Sequence, residues 1–207
     1  MHVISLLAQK GGVGKSTLTL HYAVEAERAG AGRVVVIDTD PQASASKWSQ
    51  RREAETPMML AADASDLPGA VEACRADGVD LVLVDTAPHV KASTAHAARL
   101  ADLCVIPCGP SLLDIEAIGA TVDIVEALGK RAIIVINKGR HSSNVNAEAA
   151  SVLSGYDLSV CPVVVMRRAA LEDAFIDGRA VAELKPRSKA AQEISKSWRW
   201  IYAHLTT

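Results

Sequence analysis

The stretch LLAQKGGVGKSTLTLHY, residues 6–22, has the features of a phosphate-binding loop that connects a strand to a helix. Three glycines allow the backbone to turn tightly and bring its N–H groups close to phosphate oxygens. They are Gly11, Gly12 and Gly14, with Val13 between the last two. Lys15 is placed to bind the β- and γ-phosphates, Ser16 to ligate Mg²⁺ and Thr17 to contact the α-phosphate. The stretch therefore predicts a site for a nucleotide and Mg²⁺.

The same loop departs from the usual phosphate-loop pattern at its beginning. The pattern G-x-x-x-x-G-K-[ST] requires a glycine five positions before Gly14, and the residue there is Gln9. A second lysine, Lys10, stands directly before the glycines. The loop pattern alone does not explain this extra cation.

Short apolar runs alternate with longer helical stretches along the whole chain. The predicted strands are residues 2–8, 33–39, 80–86, 102–108, 131–137 and 158–165, with a weaker candidate at 58–62. The predicted helices are residues 15–29, 66–76, 91–100, 112–127, 143–153, 168–176 and 188–205. The strands are apolar on both faces, as parallel strands covered by helices on either side are. The pattern predicts a single-domain, doubly wound and mostly parallel α/β sheet, which binds ligands beyond the carboxyl ends of its strands.

Carboxylates follow two of the predicted strands at that edge. VVVIDTDPQ ends with Asp38 and Asp40, which share a face because side chains alternate along a strand. LVLVDTAP ends with Asp85 after four apolar residues, the Walker B form in which a carboxylate supports Mg²⁺. By position, we expect Asp85 and Asp38 to support the metal and Asp40 to lie close to the attacking water.

Composition and charge restrict the classes of protein that fit. Of the 207 residues, 49% are hydrophobic and only 3% aromatic, so the core is built from Ala, Val, Ile and Leu. The net charge of −2 excludes a protein that is basic all over. Residues 167–207 nevertheless carry eight Lys and Arg against five acids, which hints at an anionic partner.

The four cysteines form no C-x-x-C pair, so we expect free buried thiols in a reducing cytoplasm. A metal shared by Cys104 and Cys108 is the alternative. The sequence has no basic leader followed by an apolar core, and no apolar run approaches the roughly 18 residues of a membrane span. A cytoplasmic protein is therefore expected.

Three motifs together resemble the deviant Walker A ATPases, the family that contains ParA and MinD. They are KGGVGKST (10–17), DTDPQ (38–42) and DTAP (85–88). VIPCGPSLLDIEAI (105–118) and MRRAALEDAFIDGRAVAEL (166–184) also resemble segments of ParA proteins, so the resemblance covers most of the chain.

The resemblance implies a role for the extra lysine and a division of labour in the site. In the family this lysine reaches across a dimer interface to the nucleotide of the other subunit, so Lys10 is expected to make dimerisation depend on ATP. Lys10, Lys15 and Asp40 are the expected catalytic residues of a slow ATPase, with ATP and Mg²⁺ as cofactors. Asn137 occupies the place where many relatives hold adenine, although an asparagine at a strand end is also a common turn residue.

Several functions share such a site. ParA proteins bind DNA non-specifically as ATP dimers, MinD proteins bind membrane through a C-terminal amphipathic helix, and other relatives are metabolic P-loop enzymes. A DNA-binding surface would use basic residues near the C-terminus, each of which could equally be ordinary solvated surface. They are Arg167, Arg168, Lys185, Arg187, Lys189, Lys196 and Arg199. Apolar spacing in residues 188–207 favours a helix docked on the domain over one lying on a membrane.

The sequence as a whole favours a ParA-type partition ATPase over a MinD-like one. We expect an ATP-bound homodimer that is associated with the nucleoid and moves plasmid, chromosome or protein cargo. A ParB-like or cargo-bound adaptor is expected to stimulate hydrolysis. The strand before Lys10 begins at residue 2, so residues 1–207 are expected to form one domain without an N-terminal helix-turn-helix. His89 is expected to be a polar residue of the loop after Asp85.

Overall fold

The computed structural model describes residues 1–88, 90–141 and 144–206. The strands are β1 (His2–Leu6), β2 (Val34–Asp38), β3 (Met58–Ala61), β4 (Leu81–Asp85), β5 (Leu103–Cys108), β6 (Ala132–Gly139), β7 (Ser159–Val160) and β8 (Val165–Met166). The helices are α1 (Lys15–Arg28), α2 (Ser44–Ser49), α3 (Leu67–Ala76), α4 (Lys91–Leu100), α5 (Leu112–Ala127), α6 (Val145–Leu153), α7 (Ala169–Asp173), α8 (Val181–Leu184) and α9 (Lys189–Thr206). A 3₁₀ turn, Ala174–Asp177, follows α7.

One sheet organises these elements. Its strand order is β3-β2-β4-β1-β5-β6-β7, with β8 paired to the far end of β6, and all of the described pairings are parallel. Asp85 lies opposite Leu6 in β1 and opposite Asp38 in β2. The register therefore brings the carboxylates of two strands to the same edge as the loop that follows β1, and the predicted doubly wound fold is confirmed.

Hydrophobic clusters cover both faces of the sheet. Val34 and Val36 of β2 point into one cluster, whereas Val35 and Ile37 point into the other. This alternation is what buried parallel strands require, and it explains why the strands read as continuous apolar runs in the sequence. The first cluster, between the sheet and helices α1 and α9, contains the largest fully buried side chains: Trp48, Trp198 and Tyr22.

The single strand predicted over 158–165 is instead two short strands. β7 and β8 both pair with β6, and the break between them contains Pro162, which has no N–H to donate to a sheet. β6 continues to Gly139, so Asn137 lies within the strand rather than at its end. Helices α2 and α8, of six and four residues, were not predicted because their sequences are too short for a helical period.

Helix α9 packs on the domain, as the apolar spacing of residues 188–207 predicts. Trp198, Ile201 and Leu205 are buried, and the Tyr22 hydroxyl donates to Ser197 Oγ at 3.1 Å. The apolar face of this helix therefore covers the sheet and α1. No helix in the described part of the chain is both long enough and apolar enough to cross a membrane.

The four cysteines, Cys74, Cys104, Cys108 and Cys161, are free and buried, as predicted. Burial raises the pKa of the Cys104 and Cys108 thiols to about 12. Over residues 1–88, 90–141 and 144–206, no group of three or more His, Cys, Asp or Glu side chains is arranged to hold a metal. The shared cysteine metal site therefore has no support in the described structure.

Candidate functional site

The loop between β1 and α1 adopts a conformation that depends on glycine. Gly12 and Gly14 have φ values of +75° and +95°, in the left-handed region that side chains disfavour. A Cβ atom on Gly14 would in addition lie 2.2 Å from Nδ2 of Asn137. Glycine is therefore favoured at position 14 by the backbone conformation and by the Asn137 side chain that lies against it.

Gln9, which stands where the usual pattern has glycine, ties the start of the loop to two helices. Its side-chain Nε2 donates to Thr94 Oγ1 of α4 at 2.7 Å, and its backbone N–H donates to Thr121 Oγ1 of α5 at 3.2 Å. A side chain at this position thus contributes to the loop's conformation.

Lys15 is buried at the bottom of a cavity of about 390 Å³, which we call the nucleotide cavity. Its lining includes Gly12, Gly14, Ser16, Thr17, Asp40 and Lys138. The Lys15 ammonium donates to the carbonyl of Ala8 at 3.4 Å. Burial lowers the pKa of Lys15, and the nearby Asp85 and Asp40 carboxylates act in the opposite direction. A phosphate entering the cavity would meet a cation held inside the domain with few competing partners.

Asp85 is fully buried, and neither of its carboxylate oxygens has a hydrogen-bond partner within the described structure. Burial raises the pKa of Asp85 to about 7, and the Asp38 and Asp40 carboxylates add to that rise. The Ser16 hydroxyl lies close enough to lower the pKa without making a hydrogen bond of normal geometry. An orphaned buried carboxylate beside a hydroxyl fits Mg²⁺, which prefers oxygen ligands and keeps several waters.

The orphaned carboxylate has a measurable consequence for stability. The raised pKa of Asp85 means that folding becomes less favourable as pH rises from about 4 to about 7, because only the unfolded chain ionises freely in that window. We expect Asp85→Asn to stabilise the metal-free and nucleotide-free protein at pH 8 by about 1–3 kcal/mol, or several degrees of melting temperature. The gain should vanish near pH 4, where the wild-type carboxyl is protonated.

Thermal unfolding with EDTA at pH 4 and pH 8 measures this effect. Asp80→Asn is the matched control, since Asp80 is a carboxylate at the opposite end of β4 with hydrogen-bonded partners of its own. A variant that is less stable than the wild type at both pH values would show that Asp85 is not a strained, unpartnered acid.

Asp38 is occupied by contacts within the chain. Its Oδ1 accepts from the N–H of Asp40 at 3.1 Å, and its Oδ2 accepts from both the N–H and the hydroxyl of Ser46 at 2.9 Å. Asp38 therefore holds the first turn of α2 and the segment that carries Asp40. Its predicted part in the Mg²⁺ shell stays a prediction.

Asp40 faces the nucleotide cavity from the segment between β2 and α2. One of its oxygens, Oδ1, accepts from the N–H of Gln42 at 2.9 Å, an interaction that fixes the turn but leaves the rest of the carboxylate available. The residue also lines a second, larger cavity of about 670 Å³ that extends towards β3 and α3. The geometry is compatible with its predicted role beside the attacking water.

The Lys10 side chain contacts the start of α5 in its own chain and does not point into the nucleotide cavity. Its ammonium is 2.6 Å from Asp114 Oδ1 and donates to the carbonyl of Leu113 at 3.3 Å. Burial alone would raise the pKa of Asp114, but hydrogen bonds from Lys10 and Ser111 outweigh this effect and hold the pKa below its ordinary value. Lys10 is thus a partly exposed cation paired at the rim of the site.

Asn137 and Lys138 hold the loop from β6. Asn137 Nδ2 donates to the carbonyl of Val13 at 2.8 Å, and Lys138 Nζ donates to the carbonyl of Gly12 at 2.6 Å. The predicted contact between Asn137 and adenine stays a prediction. The role of Lys138 was not predicted from the sequence, because a lysine that follows a predicted strand belongs to no recognisable motif.

The seven basic residues of the predicted DNA surface differ in their surroundings. Arg168 makes a two-pronged ion pair with Glu193, and Lys185 lies 3.8 Å from Asp173, so these two cations are paired within the chain. Of these seven residues, the exposed cations without an ion pair in the described structure are Arg167, Arg187, Lys189, Lys196 and Arg199.

Two of these cations share a groove with a residue from another helix. Lys196 and Arg199 of α9 line it together with Arg28 of α1, which itself pairs with Glu25 at 3.7 Å. Arg28 was missed because the contact between α1 and α9 joins residues that are far apart in sequence. His89 lies outside the described residues.

Comparison with known proteins supports the family that the motifs suggested. A protein of Halothiobacillus neapolitanus named "Maintenance of carboxysome distribution protein A" is 29% identical over 197 residues, which cover 90% of each chain. The apo structure of McdA from Cyanothece has a TM-score of 0.76 at 16% identity and covers 99% of both chains.

A structure of septum site-determining protein MinD from Pyrococcus horikoshii, complexed with Mg-ADP, shares the fold. Its TM-score is 0.80 at 17% identity, with 100% of this chain and 98% of that one covered. The predicted cofactors, ATP and Mg²⁺, agree with the Mg-ADP of this neighbour, with the ATP of a second McdA structure from Cyanothece and with the chemistry of the site. Residues 4–181 match the model of the "CobQ/CobB/MinD/ParA nucleotide binding domain", and the chain therefore belongs to this family of nucleotide-binding proteins.

Proposed function

We propose that the chain is a ParA-type positioning ATPase that forms a dimer around ATP and Mg²⁺ and binds DNA non-specifically in that state. The observation that carries the proposal is the position of Lys10. This cation belongs to the phosphate-binding loop, but its ammonium pairs with Asp114 at the rim of the site. It does not line the nucleotide cavity, as Lys15 does. A loop lysine that does not serve its own nucleotide is available to serve the nucleotide of a second subunit.

The surroundings of Lys10 fit an interface with a second copy of the chain. Leu112 and Leu113 form the first turn of α5 beside it, and they are 68% and 70% exposed. The two adjacent leucines form a small exposed apolar patch next to the site, which a second subunit would cover in an ATP-bound dimer. Lys10 would then exchange its contact with Asp114 for the phosphates held by the partner.

Within each subunit the residues divide the reaction among themselves. Lys15 and the loop N–H groups would bind the phosphates, while Ser16 and Asp85 would hold Mg²⁺. The ion supplies positive charge that offsets the charge of the phosphates. Asp40 would orient the attacking water and accept its proton, yielding ADP and phosphate. Release of phosphate would weaken the hold of Lys10 and separate the subunits.

Dimerisation tests the role of Lys10 directly. In an Asp40→Ala background that slows turnover, we expect the protein to be a monomer with ADP and a dimer with ATP and Mg²⁺. Adding Lys10→Ala should leave ATP binding within about threefold of the parent but raise the dimer dissociation constant by roughly tenfold or more, because a charge-assisted contact is lost at each of two sites. Analytical ultracentrifugation with both nucleotides measures the dissociation constant.

Lys47→Ala is the matched control for that experiment. Lys47 is also a surface lysine near the site, but its ammonium bonds the carbonyl of Gln42 within its own segment. Equal dimerisation of the Lys10→Ala and Lys47→Ala proteins would contradict the proposed contact across the interface.

A DNA surface on the ATP-bound dimer would use the unpaired cations of α9 and its neighbours. Lys196 and Arg199 project beside Arg28 into one groove, so they could contact successive phosphates. Two copies of this modest patch in one dimer would bind duplex DNA more tightly than a monomer does, which makes binding depend on ATP. Association with the nucleoid would follow.

The cargo we propose is a large protein body rather than a plasmid or chromosome. The relative that covers 90% of the chain is named for carboxysome distribution, which makes a carboxysome-like cargo the first candidate. A ParB-like adaptor bound to that cargo would stimulate hydrolysis. A MinD-like membrane role is less well supported, because Trp198, Ile201 and Leu205 of α9 are buried against the domain.

A further inference from the structure

Lys138 has a backbone conformation that is unusual for its residue type. It lies at an irregularity of β6, where the register with β8 shifts between Asn137 and Gly139. Its φ is +57°, in the left-handed region, and among the described non-glycine residues only Ala43 shares that feature. A lysine in this region is strained, and such strain persists where the surrounding contacts over-determine the conformation.

The irregularity turns the Lys138 side chain over the phosphate-binding loop. Two consecutive residues of β6 thereby hold two consecutive carbonyls of the loop: Lys138 Nζ bonds Gly12 O at 2.6 Å, and Asn137 Nδ2 bonds Val13 O at 2.8 Å. The first contact is charge-assisted, and the second is buried.

These two carbonyls determine where the loop's N–H groups point. In a trans peptide the C=O and the following N–H point in opposite directions, so fixing Gly12 O and Val13 O also fixes the N–H groups of Val13 and Gly14. N–H groups that face a common point in advance are what an anion-binding loop requires. The contacts from β6 therefore act on the donors that would receive the phosphates.

We propose that Lys138 is a positioning residue of the nucleotide site, whose ammonium holds the Gly12 carbonyl and keeps the loop ready to bind phosphate. The proposal rests on the assignment of residues 9–17 as the phosphate-binding loop. A glycine at 138 would relieve the backbone but would have no ammonium. The cost of the left-handed lysine is thus offset by its contact with the loop.

Three substitutions at Lys138 separate the effect of the ammonium from the effect of the strained backbone conformation. Lys138→Met removes the charge and keeps the stem, Lys138→Gly removes the charge and relieves the strain, and Lys138→Arg keeps a cationic donor. Lys130→Met is the matched control. Lys130 flanks the other end of β6 and also bonds a backbone carbonyl, that of Ala101 at 3.0 Å, away from the nucleotide cavity.

Calorimetric titration with Mg²⁺-ADP and Mg²⁺-ATP, together with thermal unfolding of each free variant, tests the proposal. We expect Lys138→Met and Lys138→Gly to weaken both nucleotides by the same factor, roughly tenfold, because a charge-assisted hydrogen bond that shapes the loop is lost. Lys138→Arg should recover most of the affinity, and Lys130→Met should match the wild type. The melting temperature of Lys138→Gly should be no lower than that of the wild type, so that affinity and stability move independently.

Unchanged affinity in Lys138→Met would overturn the proposal. A loss confined to ATP would overturn it as well, since it would mean that the ammonium contacts the terminal phosphate directly instead of shaping the loop. An equal loss of affinity in Lys130→Met would also overturn it, because the effect would then come from the net charge of the protein and not from the contact with Gly12. Failure of the wild-type protein to bind either nucleotide would contradict the loop assignment itself, a result distinct from all of these.

Discussion

Replacing Lys15 with alanine is expected to abolish measurable binding of Mg²⁺-ATP, with an affinity loss of roughly 100-fold or more. Lys15 is only 6% exposed, and its ammonium lies close enough to interact electrostatically with the Asp85 and Asp40 carboxylates. Without this ammonium, the negative charges of Asp85 and Asp40 would no longer be balanced by a cation from the first turn of α1. They would then repel a polyphosphate that enters the nucleotide cavity. The loss should apply to ATP and ADP alike, and equilibrium binding of a fluorescent ATP analogue measures it.

Two further variants separate this effect from a loss of fold. Lys15→Met retains most of the buried volume and should bind as poorly as Lys15→Ala, whereas Lys130→Ala should bind like the wild type. The melting temperatures of the free proteins provide the test of folding. Tight Mg²⁺-ATP binding by a folded Lys15→Ala protein would refute the assignment of the phosphate-binding loop.

Replacing Asp40 with alanine is expected to lower the ATPase rate by roughly 100-fold or more while leaving ATP binding and dimerisation intact. The carboxylate lines the nucleotide cavity, and its contact with the N–H of Gln42 leaves part of it free to accept a proton. Its removal also takes a negative charge away from the phosphates, so ATP affinity should stay the same or rise. Phosphate release under single-turnover conditions measures the chemical step separately from binding.

Asp63→Ala is the control for that measurement. Asp40 and Asp63 both line the cavity of about 670 Å³, but only Asp40 also lines the nucleotide cavity. The Asp63 variant should therefore hydrolyse ATP at the wild-type rate. An Asp40→Ala protein with normal turnover would mean that another group handles the water.

The sheet and the position of the loop could be predicted because both depend on local patterns. Apolar runs such as Val34–Asp38 and Leu81–Asp85 are buried on both faces, and their carboxylate ends meet at one edge as the ends of parallel strands do. The glycine requirement at Gly14 follows from the loop motif as well. Local signals of this kind survive in the structure because the fold reinforces them.

What could not be predicted depends on contacts that form only when the chain folds. Asp38 reads as a metal ligand from its place at the end of a strand, but the turn into α2 brings the N–H and the hydroxyl of Ser46 against its carboxylate. Arg168 reads as a free cation until α9 brings Glu193 to it. The same is true of Lys10, whose contact with Asp114 joins residues 104 positions apart.

The contact between Lys138 of β6 and the phosphate-binding loop could not be predicted from the local sequence. Lys138 follows Asn137 in an ordinary apolar strand, and nothing in that stretch shows that the strand becomes irregular there. The irregularity lies opposite Val165 and Met166 of β8, which pair with Asn137 and Gly139. A side chain's role in the site is thus determined by the pairing of another segment.

The measurement that tests the proposed function most directly is the binding of Asp40→Ala protein to non-specific duplex DNA with ATP and with ADP across a salt series. Binding should appear with ATP only and weaken steeply as salt increases, since it would depend on cations meeting phosphates. A Lys196→Ala/Arg199→Ala pair in the same background should reduce it, while nucleotide binding stays unchanged. Absence of DNA binding in both nucleotide states, by a protein that binds ATP and dimerises, would contradict the proposed ParA-type function.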